Sequence, residues 1–219
     1  MPFPTTALLD DFSGPNEDPI VSHWIGPLLS TDSGQLAKIS NQLTNATGGG
    51  TDTSSYWDFT IFGADQEAWI TVATASAVNA DQYKLFGRMI NPGTASVSGY
   101  ELHIQKDAST DIWQIRRRDN LTPTTLGADM AQEISSGDSV GLSIIGTTIS
   151  AYYKPAAGGW MIVGSRTDST YTAPGVIGVK SVQTVPLAWK GTNFGGGTAI
   201  TATPPADNAP PRIMGYGAC

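Results

Sequence analysis

Residues 136–182 read SGDSVGLSIIGTTISAYYKPAAGGWMIVGSRTDSTYTAPGVIGVKSV, and this stretch decides the fold. Val140–Ile145 and Thr148–Tyr153 are apolar, β-branched or aromatic runs that meet at Gly146-Thr147, the chemistry of a tight hairpin. Pro155-Ala-Ala-Gly158-Gly159 breaks the chain before a third strand over Trp160–Arg166. Asp168-Ser-Thr-Tyr171 then leads through Pro174-Gly175 into a fourth strand, Val176–Val182. Short strands in succession, each closed by turn residues, predict antiparallel sheet.

The rest of the 219 residues fits the same plan. There are 25 Gly and 14 Pro with only 14% charged residues, as many short strands joined by turns require. No run of about a dozen residues carries apolar positions at i, i+3, i+4 and i+7, so helices are not expected. Strands are expected over 8–12, 35–39, 42–45, 54–62, 67–76, 82–90, 99–105, 111–118, 126–134 and 187–194, with residues 120–125 a loop. In Gly99–Gln105 the alternation is clean: Tyr100, Leu102 and Ile104 point one way, and Glu101, His103 and Gln105 the other. The segment Thr192-Asn193-Phe194-Gly195 echoes Asp10-Asp11-Phe12-Ser13-Gly14, so the first and last strands are expected to pair. The economical reading is an all-β, two-sheet antiparallel sandwich over residues 1–197. Residues 198–219 (TAITATPPADNAPPRIMGYGAC) hold two Pro-Pro pairs and read as an extended arm. It is either a flexible tail or an arm that orders on a neighbouring subunit through Ile213, Met214 and Tyr216.

The order strand, Gly turn, strand, Gly-rich loop, Trp strand, D-S-T-Y, Gly-strand resembles the C-terminal half of concanavalin A-like lectin/glucanase domains, the laminin-G-like jelly rolls. The opening Asp10-Asp11-Phe12 through Pro19 to Trp24 resembles the D-x-F-x-R-x-x-x-x-P…W start of jelly-roll domains common in bacteriophage and actinobacterial reading frames. Here Gly14-Pro15 stands where an Asn-Arg pair is usual. The resemblance implies two large sheets packed face to face, with a curved sheet that often binds sugar, in a domain of the kind found in phage tail and minor virion proteins.

Charge and composition narrow the partners. A net charge of −7 repels phosphate backbones and disfavours nucleic acid. Arg116-Arg117-Arg118 alternates between strand faces and makes no single basic patch. No apolar run reaches the length of a membrane span, and the N-terminus has neither a basic n-region nor an apolar h-region. Cys219 is the single cysteine, so the core alone must stabilise the chain. Synthesis in a host cytoplasm followed by display on a virion surface reconciles these features. The expected partners are other virion subunits through the arm, in a homo-oligomer, and host-surface carbohydrate.

Enzymatic chemistry is not expected. His23 and His103 are the two histidines, too few to build a zinc site; no G-x-S-x-G elbow is expected, and Cys219 lies in the arm. Glycoside hydrolysis needs two carboxylates facing one sugar, and the E-x-D-x-x-E strand of glucanases with this fold is absent. His103-Ile-Gln105 and Tyr152-Tyr153-Lys154 faintly resemble segments of jelly-roll polysaccharide lyases, but their R-x-E-x-R element is missing. Binding asks less: an aromatic platform for the ring face and polar groups for hydroxyls. The hairpin 99–118 offers Glu101, His103, Gln105, Trp113, Gln114 and Arg117. A loop centred near Ala108 sets His103 opposite Trp113 on one face, whereas a one-residue slip buries Trp113. Trp57, Trp69, Tyr152 and Trp160 read as core. No cofactor is expected; for a structural calcium the candidates are Asp10, Asp11, Asp52 and Asp119. The alternatives are a purely structural virion cement protein and a polysaccharide-degrading enzyme.

Overall fold

The computed structural model describes residues 3–46, 51–57, 61–185 and 187–200. The arm beyond residue 200, with Ile213, Met214 and Tyr216, lies outside the described residues. The strands in chain order are β1 (Leu8–Asp10), β2 (Trp24–Ile25), β3 (Leu36–Ile39), β4 (Gln42–Asn45), β5 (Asp52–Trp57), β6 (Gln66–Thr74), β7 (Gln82–Ile90) and β8 (Ser98–Gln105). They continue with β9 (Ile112–Asp119), β10 (Thr122–Thr125), β11 (Met130–Ala131), β12 (Ser139–Ile145), β13 (Thr148–Lys154), β14 (Met161–Thr167), β15 (Val176–Val182) and β16 (Lys190–Thr198). The described residues form an all-β sandwich of two eight-stranded antiparallel sheets. One, the β6 sheet, runs β14-β13-β12-β6-β16-β4-β3 with β1 beside β16. The other, the β8 sheet, runs β10-β9-β8-β7-β15-β5-β2 with β11 beside β9.

The alternation read from the sequence sets the interior. Cross-strand rows Val179–Leu85–Leu102–Ile115 and Tyr83–Ile104–Trp113 of the β8 sheet face Ile70, Val72, Val140, Leu142 and Ile144 of the β6 sheet in one buried core. Each fully buried side chain of this size contributes roughly 1.5–3 kcal/mol. The opening motif gains a physical meaning here. Phe12 N–H and Trp24 Nε1–H donate to the two oxygens of Asp10 at 2.7 and 2.8 Å. The two rings stack with centroids 6.0 Å apart, so the motif closes one end of the core. First and last strands pair as expected, Leu8 with Gly195 and Asp10 with Phe194.

Several expectations are corrected. Strand β16 runs on through Gly195-Gly196-Gly197 to Thr198, because the Trp69 ring lies against the backbone there and a Cβ at Gly195 would sit 2.1 Å from it. Asn120 and Leu121 both take positive φ (46° and 73°) in a tight turn, so residues 122–125 form β10 rather than a loop. Pro123 is tolerated because β10 is an edge strand. Between 126 and 134 only Met130–Ala131 is strand. Trp57 is core, but Trp69, Tyr152 and Trp160 are half-buried. Tyr152 stacks on Phe3 at 4.1 Å, and Trp160 meets Phe3 edge-on. Trp24 and Trp189 are fully buried.

Candidate functional site

The second face of the β8 sheet, turned away from the core, is polar in three cross-strand rows. One reads Ser54–Lys180–Lys84–His103–Gln114 across β5, β15, β7, β8 and β9. Its neighbours are Asp52–Val182–Gln82–Gln105–Ile112 and Tyr56–Gly178–Phe86–Glu101–Arg116. One end of this outer face is roofed. Leu28 and Leu29 from the segment after β2, Val97 before β8, and Phe86, Met89 and Val176 form a second small apolar cluster. The same segment is pinned by Leu28 N–H donating to Ser54 Oγ at 2.9 Å, by the Ser54 hydroxyl donating to Asp32, and by Asp32 on Lys180. The roof explains why the Ser54–Lys180 end of a row that alternation alone would leave in water is withdrawn from it.

Charges in these rows are mostly spoken for. Glu101 is fully buried and takes Arg118 Nη2 at 2.6 Å and Arg116 Nη1 at 3.5 Å. Burial pushes its carboxyl up, but Lys84 and Arg118 outweigh that and hold it below the usual carboxylate range. Lys180 is bridged by Asp32 and Asp52. Lys84, 8% exposed, enters none of the ion pairs among the described residues. Its burial, reinforced by Lys180, Arg118 and Arg116, draws the ammonium down to about 8 against the pull of Glu101. His103, 2% exposed, has an Nδ1 with no hydrogen-bond partner. Burial, with Arg116 and Lys84 beside it, lowers its imidazole to about 3, so it is neutral at working pH.

The hairpin register decides which expected site residues meet. His103 pairs with Gln114, and Trp113 pairs with Ile104. Of the two registers open in the sequence, the structure takes the one that buries Trp113, which leaves the binding-site set: it is 0% exposed in the core, its Nε1–H donating to Gln132 O at 2.7 Å. Arg117 likewise leaves the face, because it alternates to the other side and pairs with Asp119 and Asp168 at 2.9 and 3.0 Å. Glu101, His103 and Gln105 do share the outer face, joined by Gln82, Gln114, Arg116, Lys84 and Lys180. Sequence reading missed Lys84 and Lys180; Lys180 is held by Asp32, far away in the chain, and Lys84 lies beside it in the cross-strand row.

An open cleft of ≈ 270 Å³ lies on the outer face of the β6 sheet. Its floor carries Glu67, Ser143 and Ser150, and its wall Phe3, Tyr152 and Ile200. Glu67 Oε2 already accepts from the N–H and hydroxyl groups of both Thr5 and Thr6 at 2.7–3.2 Å. Among the described residues Glu67 is the carboxylate that lines this cleft. Tyr152 and His103 belong to different sheets and face opposite sides, so they do not assemble a lyase pair. Gly137-Asp138-Ser139-Val140-Gly141 has the spacing of a serine nucleophile elbow, which sequence reading passed over. Ser139 sits within β12 rather than at a strand–helix turn, and its hydroxyl bonds Thr71 Oγ1 at 2.9 Å, with no histidine in its sheet partners. The calcium candidates do not converge. Asp10 holds Phe12 and Trp24, Asp11 holds Ser13 N–H, Asp52 meets Lys180, and Asp119 meets Arg117 and Tyr171. Among the described residues no group of three His, Cys, Asp or Glu side chains is placed to share an ion.

No protein-family model and no curated protein sequence matches the chain. Solved structures do. The carbohydrate-binding module CBM66 from Bacillus subtilis superposes with a TM-score of 0.54 at 12% identity, covering 81% of this chain and 94% of that one. The VIP36 exoplasmic/lumenal domain, in a Ca2+/Man3GlcNAc-bound form, gives 0.63 at 10% identity, with 92% and 91% covered. A xylan β-1,4-xylosidase from Bacillus halodurans C-125 gives 0.56 at 14% identity, covering 89% of this chain but 39% of its own. The fold is thus the concanavalin A-like jelly roll expected from the sequence.

Proposed function

We propose that this chain is a non-enzymatic carbohydrate-binding domain whose site is the outer face of the β8 sheet. The observation that carries the reading is the continuous polar row Ser54–Lys180–Lys84–His103–Gln114, flanked by Gln82 and Gln105. Amide, ammonium and imidazole groups held on a rigid sheet are the donors and acceptors that sugar hydroxyls need. The lectin-like and carbohydrate-binding structures of the same fold support the ligand class, by analogy of fold. The engagement of Glu67 by Thr5 and Thr6, and of Glu101 by two arginines, favours binding over hydrolysis.

The reading extends to a place: a virion surface, as tail fibre or capsid decoration, facing host carbohydrate. Residues 198–219 would then reach other subunits of a homo-oligomer. The resemblance of the Asp10–Trp24 opening to phage jelly rolls and the Pro-rich arm support that part. A purely cementing role is favoured instead by Met161, Ile162 and Ile200, which are 50–69% exposed.

Retention of the full chain on immobilised host-surface polysaccharides, with released oligosaccharide measured in the same samples, tests the function. Retention without release, weakened at least about tenfold in Gln82→Ala/Gln105→Ala, is expected, as loss of two hydrogen-bonding amides implies. Release of soluble sugar, or retention indifferent to that double variant, overturns it.

A further inference from the structure

The outer face of the β8 sheet holds more than hydroxyl-binding groups. Lys84, Lys180, Arg116 and Arg118 stand there with Glu101, Asp32 and Asp52, and Asp129 closes the β9 end of the row on Gln114 at 2.6 Å. Arg116 and Arg118 share Glu101, and Lys180 takes both aspartates. Lys84 is left over at the centre of the row, between Lys180 and His103. A cation so far withdrawn from water with no contacting counter-charge raises the energy of the free protein, and an anion arriving beside it recovers that cost. Directly opposite, the buried His103 Nδ1 is a second polar atom without a partner.

Resting on the carbohydrate reading above, we infer that this face recognises an acidic saccharide, with the sugar's carboxylate or sulfate against Lys84 and its hydroxyls on Gln82 and Gln105, which pair across β7 and β8. The protein's net charge of −7 gives no long-range attraction for polyanions, so selectivity comes from the local site. The groups facing Lys84 are Lys180 on β15, Glu101 and His103 on β8, and Arg116 and Arg118 on β9. Glu101 is ionised and His103 neutral from pH 6 to 9, leaving Lys84 as the group whose charge fades as pH rises through about 8.

The test compares full-chain binding to polygalacturonate, its fully methyl-esterified form, dextran sulfate, dextran and polyglutamate, for wild type and Lys84→Gln. Retention on polygalacturonate, dextran sulfate or both, at least tenfold over the neutral counterparts, is expected; the two acidic arms separate carboxylate from sulfate. Lys84→Gln is expected to lose that preference, and wild-type retention to fall between pH 7 and 9. Equal retention of acidic and neutral polymers, or of polyglutamate, overturns the inference while leaving the carbohydrate reading standing. Retention of no saccharide overturns both. Lys84→Arg, which keeps the charge, is expected to retain the preference; equal loss in Arg and Gln variants would assign Lys84 a structural role.

Discussion

Arg118 Nη2 lies 2.6 Å from Glu101 Oε2, on a face of the sandwich that alternation alone would assign to solvent. Both side chains are nearly or wholly buried. Arg116 reaches the other carboxylate oxygen at 3.5 Å, so both oxygens of Glu101 are in ion pairs, while Lys84 acts on it without one.

Glu101→Gln is expected to destabilise the fold by about 3 kcal/mol in urea unfolding, because two buried guanidiniums lose their counter-charge. Glu101→Gln combined with Arg118→Met should recover a large part of the loss. A single-variant cost below about 1 kcal/mol would mean that water replaces the carboxylate at this site.

Lys84→Met should make the protein more stable at pH 7, by roughly 1–3 kcal/mol. The sign follows from linkage: the folded-state value of about 8 lies below the ordinary 10.5. Between those values the unfolded chain binds more protons, so wild-type stability rises with pH across that window. Chemical unfolding at pH 7 and pH 10 is expected to show a gap between the two proteins that narrows at the higher pH.

His103 should not titrate between pH 5 and 8. With its folded-state value near 3 against 6.5 unfolded, its contribution to stability is complete above pH 6.5 and falls as pH drops toward 3. Glu17 adds to the same acid limb. Burial pushes its carboxyl up, but Lys38 at 2.6 Å and the N–H groups of Ser22 and Val21 pull it down to about 2. Its stabilisation is present above pH 4.5 and lost as pH falls through about 2. Imidazole resonances followed by NMR check the first statement, and acid unfolding of Lys38→Met checks the second.

Trp113→Ala is expected to cost about 3–5 kcal/mol, as for a large aromatic removed from a packed core. Trp113→Phe, which keeps most of the volume, should leave saccharide retention within about twofold, since the ring lies on the opposite side of the sheet from the proposed site.

The sandwich was largely legible in the sequence because its central strands alternate: β7, β8, β12, β13 and β15 lie within about two residues of where turn residues and apolar periods place them. The hairpin register was not legible. Asp111 is drawn into the loop as a fully buried carboxylate that accepts from Lys106 Nζ and Ile134 N–H, both at 2.9 Å. That shifts the pairing by one residue and moves Trp113 inside. Arg88 is a similar case: a bulge with φ of 49° turns it off the outer face to bond Tyr171 O at 3.0 Å and the backbone of Ala64. Lys84 itself reads as an exposed strand lysine, yet between Lys180 and His103 in its cross-strand row it is 8% exposed. Long-range contacts of this kind leave no local periodicity to read.

Backbone amide shift mapping during titration with the best-retained polysaccharide fragment tests the placement of the site most directly. Shifts concentrated at Gln82, Lys84, His103, Gln105 and Gln114 are the expected result. Shifts centred instead on Ser143, Ser150 and Tyr152, across the cleft of the opposite sheet, would contradict it.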